Sequence, residues 1–218
     1  MNAWIVWQIV DSAFPTGGFA HSWGLEAAWQ SGEIPGDAEL RQFLRDTLSQ
    51  AGHASLPFVT AAHDDPSRLP ALDARCDVFL TNAVANRASR VQGSAFLATC
   101  TRTWPAPELV ALERQARTLC RHAAPIAGAV LRGLDLPLPV AQQMFLFTAA
   151  RSVLAAAVRL GIVGSYRAQQ LQHECASDLD RVLDRCRHLR EDDAAQTSPL
   201  IDLWQAAHDR LYSRLFQS

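Results

Sequence analysis

Along this chain, segments whose apolar residues return every three to four positions alternate with short breaks rich in Pro, Gly and Asp, a period that predicts helices almost throughout. Apolar–polar alternation with period two, the mark of a half-buried strand, never persists beyond a few positions. Trp4 to Val10 begins a short helix that the Phe14-Pro15 turn stops, and a second helix runs from about Phe19 to Ser31 with Gly32 as its C-cap. Pro35-Gly36 breaks the chain. Asp37 then caps a third helix in which Leu40, Phe43, Leu44, Thr47 and Leu48 share one face as far as Gly52.

A short helix around Leu56 to His63 is followed by Asp64-Asp65-Pro66, and Leu72, Cys76, Phe79 and Leu80 open a longer helix that continues towards Cys100. Pro107 suits the first turn of the next helix, Pro125 opens a short piece through Leu131, and Pro139 begins a strongly apolar helix ending near Gly161. Gly164-Ser165 starts a long amphipathic helix to about Arg190, with Leu171, Cys175, Val182, Cys186 and Leu189 on its apolar side. The polar stretch Glu191 to Thr197 reads as a linker, after which Ser198-Pro199 restarts a final helix bearing Leu200, Leu203, Trp204, Leu211 and Leu215. The expected architecture is an all-α, compact helical bundle of roughly eight to ten helices. A body of residues 1–197 would carry a detachable C-terminal tail, residues 198–218.

Composition narrows the chemistry. A length of 218 residues with 49% apolar content suits one domain with a continuous core. The formal charge of −2 offers no general basic field, so neither nucleic acid nor an acidic membrane is an expected partner. Met144 to Val163 is long enough to span a bilayer, but Arg151 and Arg159 interrupt it, and it reads as a central core helix. The N-terminus carries no basic region followed by an apolar core and cleavage site, so the mature chain is expected to start at Met1. All 20 basic residues are arginine, and the absence of lysine excludes P-loop, kinase and Schiff-base chemistry. Five cysteines without a CxxC pair point to a reducing compartment and to small buried hydrophobes, with Cys175 and Cys186 facing the same side of one helix.

Candidate catalytic groups are sparse. Seven histidines invite a metal reading, yet there is no HExxH, and Cys120 with His122, like His173 with Cys175, would diverge by about 200° on a helix. No metal site is therefore expected. Asp64-Asp65 and Glu191-Asp192-Asp193 superficially resemble magnesium-holding motifs of isoprenoid enzymes, but Pro66 follows the first and the second lies in a polar linker, so solvated loops are expected. No G-x-S-x-G elbow occurs, and His21 and Ser22 are sequence neighbours whose side chains diverge. The chain reads as non-catalytic.

Two terminal motifs remain. Phe14-Pro-Thr-Gly-Gly-Phe-Ala-His-Ser-Trp-Gly-Leu-Glu26 places a constrained turn before a helix, and Tyr212-Ser-Arg-Leu-Phe216 puts an aromatic and aliphatic stripe where chains are usually frayed and polar. Together they resemble the urease accessory protein UreF family, through Pro15, Gly17, Gly18, Phe19, Ser22, Gly24, Leu25 and Glu26 at the first motif and Tyr212 to Phe216 at the second. The Ala155-Ala-Ala-Val-Arg159 helix is similar too, so the resemblance extends over the full length.

The resemblance implies a cytoplasmic all-α homodimer that is not an enzyme and needs no cofactor of its own. It would bind UreD (UreH in some systems), recruit the GTPase UreG to apo-urease, and help nickel pass through the assembled complex. The partner-binding residues would be Pro15, Gly17, Gly18, Phe19, His21, Ser22, Gly24, Leu25, Glu26, Tyr212, Ser213, Arg214, Leu215 and Phe216, with a tail that orders when UreD binds. Arg214 is expected to pack over the Phe19 turn, joining the termini into one surface. The chain departs from the family pattern in lacking lysine, in Gly161-Ile-Val-Gly-Ser165 where many members carry proline and polar residues, and in Phe19, where an aromatic hydroxyl is sometimes found. Competing readings are an all-α transcription regulator, which would need a basic recognition helix beyond Arg41 and Arg45, and a helical isoprenoid-type enzyme.

Overall fold

The helical periods translate into twelve α-helices among residues 3–217, which the computed structural model describes; Met1, read above as the start of the mature chain, lies outside them. In chain order they are α1 (Ala3–Val10), α2 (Leu25–Gln30), α3 (Asp37–Gln50), α4 (Leu56–Asp64), α5 (Leu69–Phe79), α6 (Ala83–Thr103), α7 (Pro107–Gln115), α8 (Ala123–Gly133), α9 (Leu138–Arg159), α10 (Ser165–Glu174), α11 (Ala176–Cys186) and α12 (Pro199–Ala207). No strand forms among the described residues.

The count exceeds the expected range because two helices read as continuous are split. Asn82 breaks the first: its side chain accepts from the amides of Val84 and Ala85, at 3.0 and 3.3 Å, and so starts α6 afresh after α5. Cys175 breaks the second, between α10 and α11, so Cys175 and Cys186 do not share one helix. Both are nonetheless buried, as are Cys76 and Cys100, and all five cysteines are free thiols. Burial pushes the Cys175 thiol up to about 11 and Cys100 to about 12, which suits inert packing residues.

Conversely, α3 and α4 are joined where a break was expected, through a wider π-helical turn, Ala51–Ser55. Pro57 supplies the reason. It lacks the amide that would bond back to His53, and its ring would crowd that carbonyl in a regular helix. The freed His53 carbonyl instead accepts from Ala195 at 3.1 Å, fixing the segment that leads to the C-terminal tail.

Helices α4, α8 and α9 form the centre. Helix α9 buries Ala141, Met144, Leu146, Ala149, Ala150, Val153, Leu154, Ala156 and Ala157, as its sequence demanded, and α4 contributes Leu56, Phe58, Val59 and Ala62. Truncating a fully buried leucine in such a core costs about 2–5 kcal/mol. Arg151 leaves this core by donating to the Val10 carbonyl. No described helix is long and apolar enough to cross a membrane.

The expected linker is anchored rather than loose. Glu191 is buried and pairs with Arg68, correcting its reading as part of a solvated acidic loop. Gln50 Oε1 then accepts from the amides of Thr197 and Ser198, at 2.8 and 2.9 Å. The tail beyond it is docked on the body, burying Ile201, His208 and Phe216.

Candidate functional site

The two terminal motifs meet. Phe14 stacks on Trp104, with ring centroids 5.6 Å apart, and Thr99 Oγ1 donates to the Pro15 carbonyl at 2.9 Å, so α6 fixes the start of the turn. A 3-10 turn, Gly18–Ala20, follows, and the chain then passes through left-handed backbone at Trp23 (φ 60°) and Gly24 (φ 84°) before entering α2. Gly24 is required twice over. Its φ disfavours a side chain, and a Cβ there would lie 2.8 Å from the Gln205 amide nitrogen of α12.

Entering α2 at this angle buries Glu26 beneath the tail. Its Oε1 accepts from the Leu215 amide at 2.6 Å, and its Oε2 from the Phe216 amide at 3.1 Å. His208 Nε2 lies 3.0 Å from the same Oε2. Two further bonds complete the seam: Gln217 N–H to the Ala20 carbonyl at 2.8 Å, and Gln30 Nε2 to the Ser213 carbonyl at 3.0 Å. A buried carboxyl group thus satisfies two amides that would otherwise have no helical or sheet partner.

The expected joining of the termini holds, but the arginine differs. Arg214 is exposed and lies 3.4 Å from Asp209, which also pairs with Arg87. Arg159, at the end of α9, takes the place expected of Arg214. Its guanidinium lies 3.9 Å from the Phe19 ring centroid and 4.2 Å from that of Phe216, and it donates to the Phe19 carbonyl. Both distances are within cation–π range, worth about 0.5–2 kcal/mol per contact. The available signals were an arginine interrupting an apolar helix, read as a barrier to membrane insertion, and the family-like Ala155-Ala-Ala-Val-Arg159 segment that ends on it.

Of the sequence-predicted residues, Pro15, Phe19, Tyr212, Ser213, Arg214 and Leu215 are exposed, Gly17 and Gly18 are half-buried, and His21, Ser22, Gly24, Leu25, Glu26 and Phe216 are buried. The buried group holds the exposed group in place. Phe19, Tyr212 and Leu215 are 70%, 104% and 53% exposed, so large apolar side chains stand in solvent on a hydrogen-bonded seam. His21 and Trp23 also line a cavity of ≈ 190 Å³ whose opposite walls include Met144 and Phe145 of α9 and Gln205 of α12. Burial, followed by the charges of His208 and Arg87, holds His21 down to about 4.

One correction concerns the histidines. Cys120 and His122 do not diverge, because they lie in a loop rather than a helix, with Arg121 at φ 65° between them. Their ligand atoms and that of Asp77 lie within 4.8 Å of one another.

The described residues form an all-helical body with its two terminal motifs docked on one another. The UreF family model matches residues 34–176. The chain is 38% identical to urease accessory protein F of Arabidopsis thaliana, across 99% of this chain and 92% of the relative, and 37% identical to that of Oryza sativa subsp. japonica, across 99% and 85%. It is also 31% identical to urease accessory protein UreF of Arthrobacter sp., across 97% and 95%. The chain belongs to the UreF family of urease accessory proteins, which are not themselves enzymes.

Proposed function

We propose that this protein acts in urease maturation as a cytoplasmic homodimeric scaffold. It binds UreD (UreH) through the seam formed by its two ends, and so recruits the GTPase UreG to apo-urease for GTPase-dependent nickel insertion. In this role it works as an assembly chaperone, with nickel as cargo of the complex. The observation that carries the reading is the convergence of Phe19, Tyr212 and Leu215, exposed on a backbone held by Glu26 and Arg159. Aromatic and aliphatic side chains that stand in solvent but are already ordered lose little freedom on docking, which favours them as interface anchors. The five free thiols agree with a reducing compartment.

In this reading residues 198–218 are the partner-dependent part of the seam, because they carry Tyr212 and Leu215. They are attached at discrete points: Asn82 to Asp202, Arg87 to Asp209, Glu26 to the Leu215 and Phe216 amides, and the buried side chains of Ile201, His208 and Phe216. Co-expression with UreD and UreG followed by size-exclusion chromatography tests the proposal. The wild-type chain is expected to co-elute with both, whereas a Tyr212→Ala/Leu215→Ala variant, folded by circular dichroism, is expected to elute apart from UreD. Co-elution of that variant at wild-type affinity would move the docking surface elsewhere.

A further inference from the structure

Away from the terminal seam, Cys120-Arg121-His122 forms a tight loop between the 3-10 turn Ala116–Thr118 and α8, and its construction is unlike that of an ordinary connection. Arg121, a non-glycine residue, is held in left-handed backbone, which turns Cys120 and His122 to the same side. Asp73 clamps the loop: its buried carboxyl accepts from the amides of both Cys120 and His122, each at 2.7 Å. The loop also presses against α6 at Gly93, where a Cβ would lie 2.0 Å from the Arg121 carbonyl oxygen.

These constraints aim a thiol and an imidazole at Asp77, one helical turn beyond Asp73 on α5. His122 is fully buried, and its Nε2 lies 3.1 Å from Asp77 Oδ1. Two ligands about 2.0 Å from a shared ion in tetrahedral geometry stand about 3.3 Å apart, so the observed separation needs almost no movement to admit one. The other ring nitrogen, Nδ1, lies 3.2 Å from Ser89 Oγ, which also accepts from the Ala123 amide at 3.0 Å. A hydroxyl there can accept a hydrogen bond from Nδ1–H and leave the Nε2 lone pair to ligate, the outer partner that metal-binding histidines usually have.

We propose that Asp77, Cys120 and His122 form a binding site for one late first-row divalent cation. Thiolate, imidazole and carboxylate together suit Zn²⁺ and Co²⁺ rather than Mg²⁺ or Ca²⁺, and the two negative ligands neutralise the ion. Cys120 and Asp77 are half-buried, and Asp77 lines a surface hollow together with Asn86, Arg87 and Arg90, the side from which an ion would enter. Arg90 is the competitor. Its half-exposed guanidinium donates to Asp77 Oδ1, as does Asn86 Nδ2 at 2.9 Å, so the arginine must swing aside when an ion enters.

Titration of the purified, metal-free full chain with Co²⁺, followed by optical absorption, tests the site. One equivalent is expected to bind with a thiolate-to-cobalt charge-transfer band, and Zn²⁺ is expected to displace it. Cys120→Ser removes the band, Ser89→Ala weakens binding about tenfold, and Arg90→Ala, which removes the competing cation, tightens it. Cys100→Ala serves as the control and leaves the band unchanged. Retention of the band in Cys120→Ser, or looser binding in Arg90→Ala, overturns the proposal, as does a wild-type chain that binds no Co²⁺. The titration needs no partner protein, so its failure leaves the UreD-docking proposal intact.

Discussion

Glu26 carries more of the candidate seam than any other side chain, and its role depends on where its two oxygens point. Each accepts from a tail amide, and His208 contributes a third bond. Glu26→Ala would leave those groups unsatisfied at a buried position, a loss of about 2–4 kcal/mol when several bonds to one group go together. Because those bonds tie the tail rather than the core, the expected result is local. Limited proteolysis between residues 208 and 217 should accelerate while the body remains resistant, and a tail as protected as in the wild type would show that Glu26 does not hold it. The sequence marked Glu26 as part of the motif. Its partners, 182 to 190 residues away, belong to the other end of the chain and left no local trace.

Helix existence was legible at the element scale, whereas helix continuity was not. Apolar content located α9 and placed it in the core, because most of its apolar surface must be covered whatever lies beside it. The α5–α6 break at Asn82 was missed, although Asn is a strong N-cap, because the apolar pattern runs straight through it. The join at Ala51–Ser55 was missed for the opposite reason: Gly52 was read as the end of the third helix, but a π-helical turn carries the chain through it, and the His53 carbonyl freed by Pro57 accepts from Ala195. For the tail, the structure sets a clear expectation. Truncation after Thr197 removes α12 and the buried Ile201, His208 and Phe216, but leaves α4, α8 and α9 with their mutual packing. The truncated chain should keep a cooperative melt and lose only the helical signal of α12, while failing to retain UreD in a pull-down. Collapse of the whole far-ultraviolet spectrum would instead make the tail part of the core.

The whole molecule should weaken in mild acid, and His21 gives the sign. Its unfolded value is 6.5, and burial holds the folded value down to about 4, so between these limits the unfolded chain binds the extra proton. Stability is complete above pH 6.5 and declines as pH falls towards 4. Thermal melts should therefore show a lower midpoint at pH 5 than at pH 7, and His21→Asn should flatten that difference; an equal slope in the variant would remove His21 as the cause. Asp77, held near 2 by Asn86, Arg90 and His122, contributes only in stronger acid. The sequence by itself determined that the chain is helical, that α9 lies inside, that no lysine chemistry is available, and that both ends carry distinctive motifs, because periodicity, composition and short motifs are local properties. Tertiary structure alone decided that Arg159 rather than Arg214 bridges Phe19 and Phe216, that Glu26 is the internal clasp, and that Cys120 and His122 face Asp77 together. Those pairings arise where separate elements meet at angles set by backbone turns such as Trp23-Gly24 and Arg121, whose left-handed geometry a hydrophobic pattern does not encode.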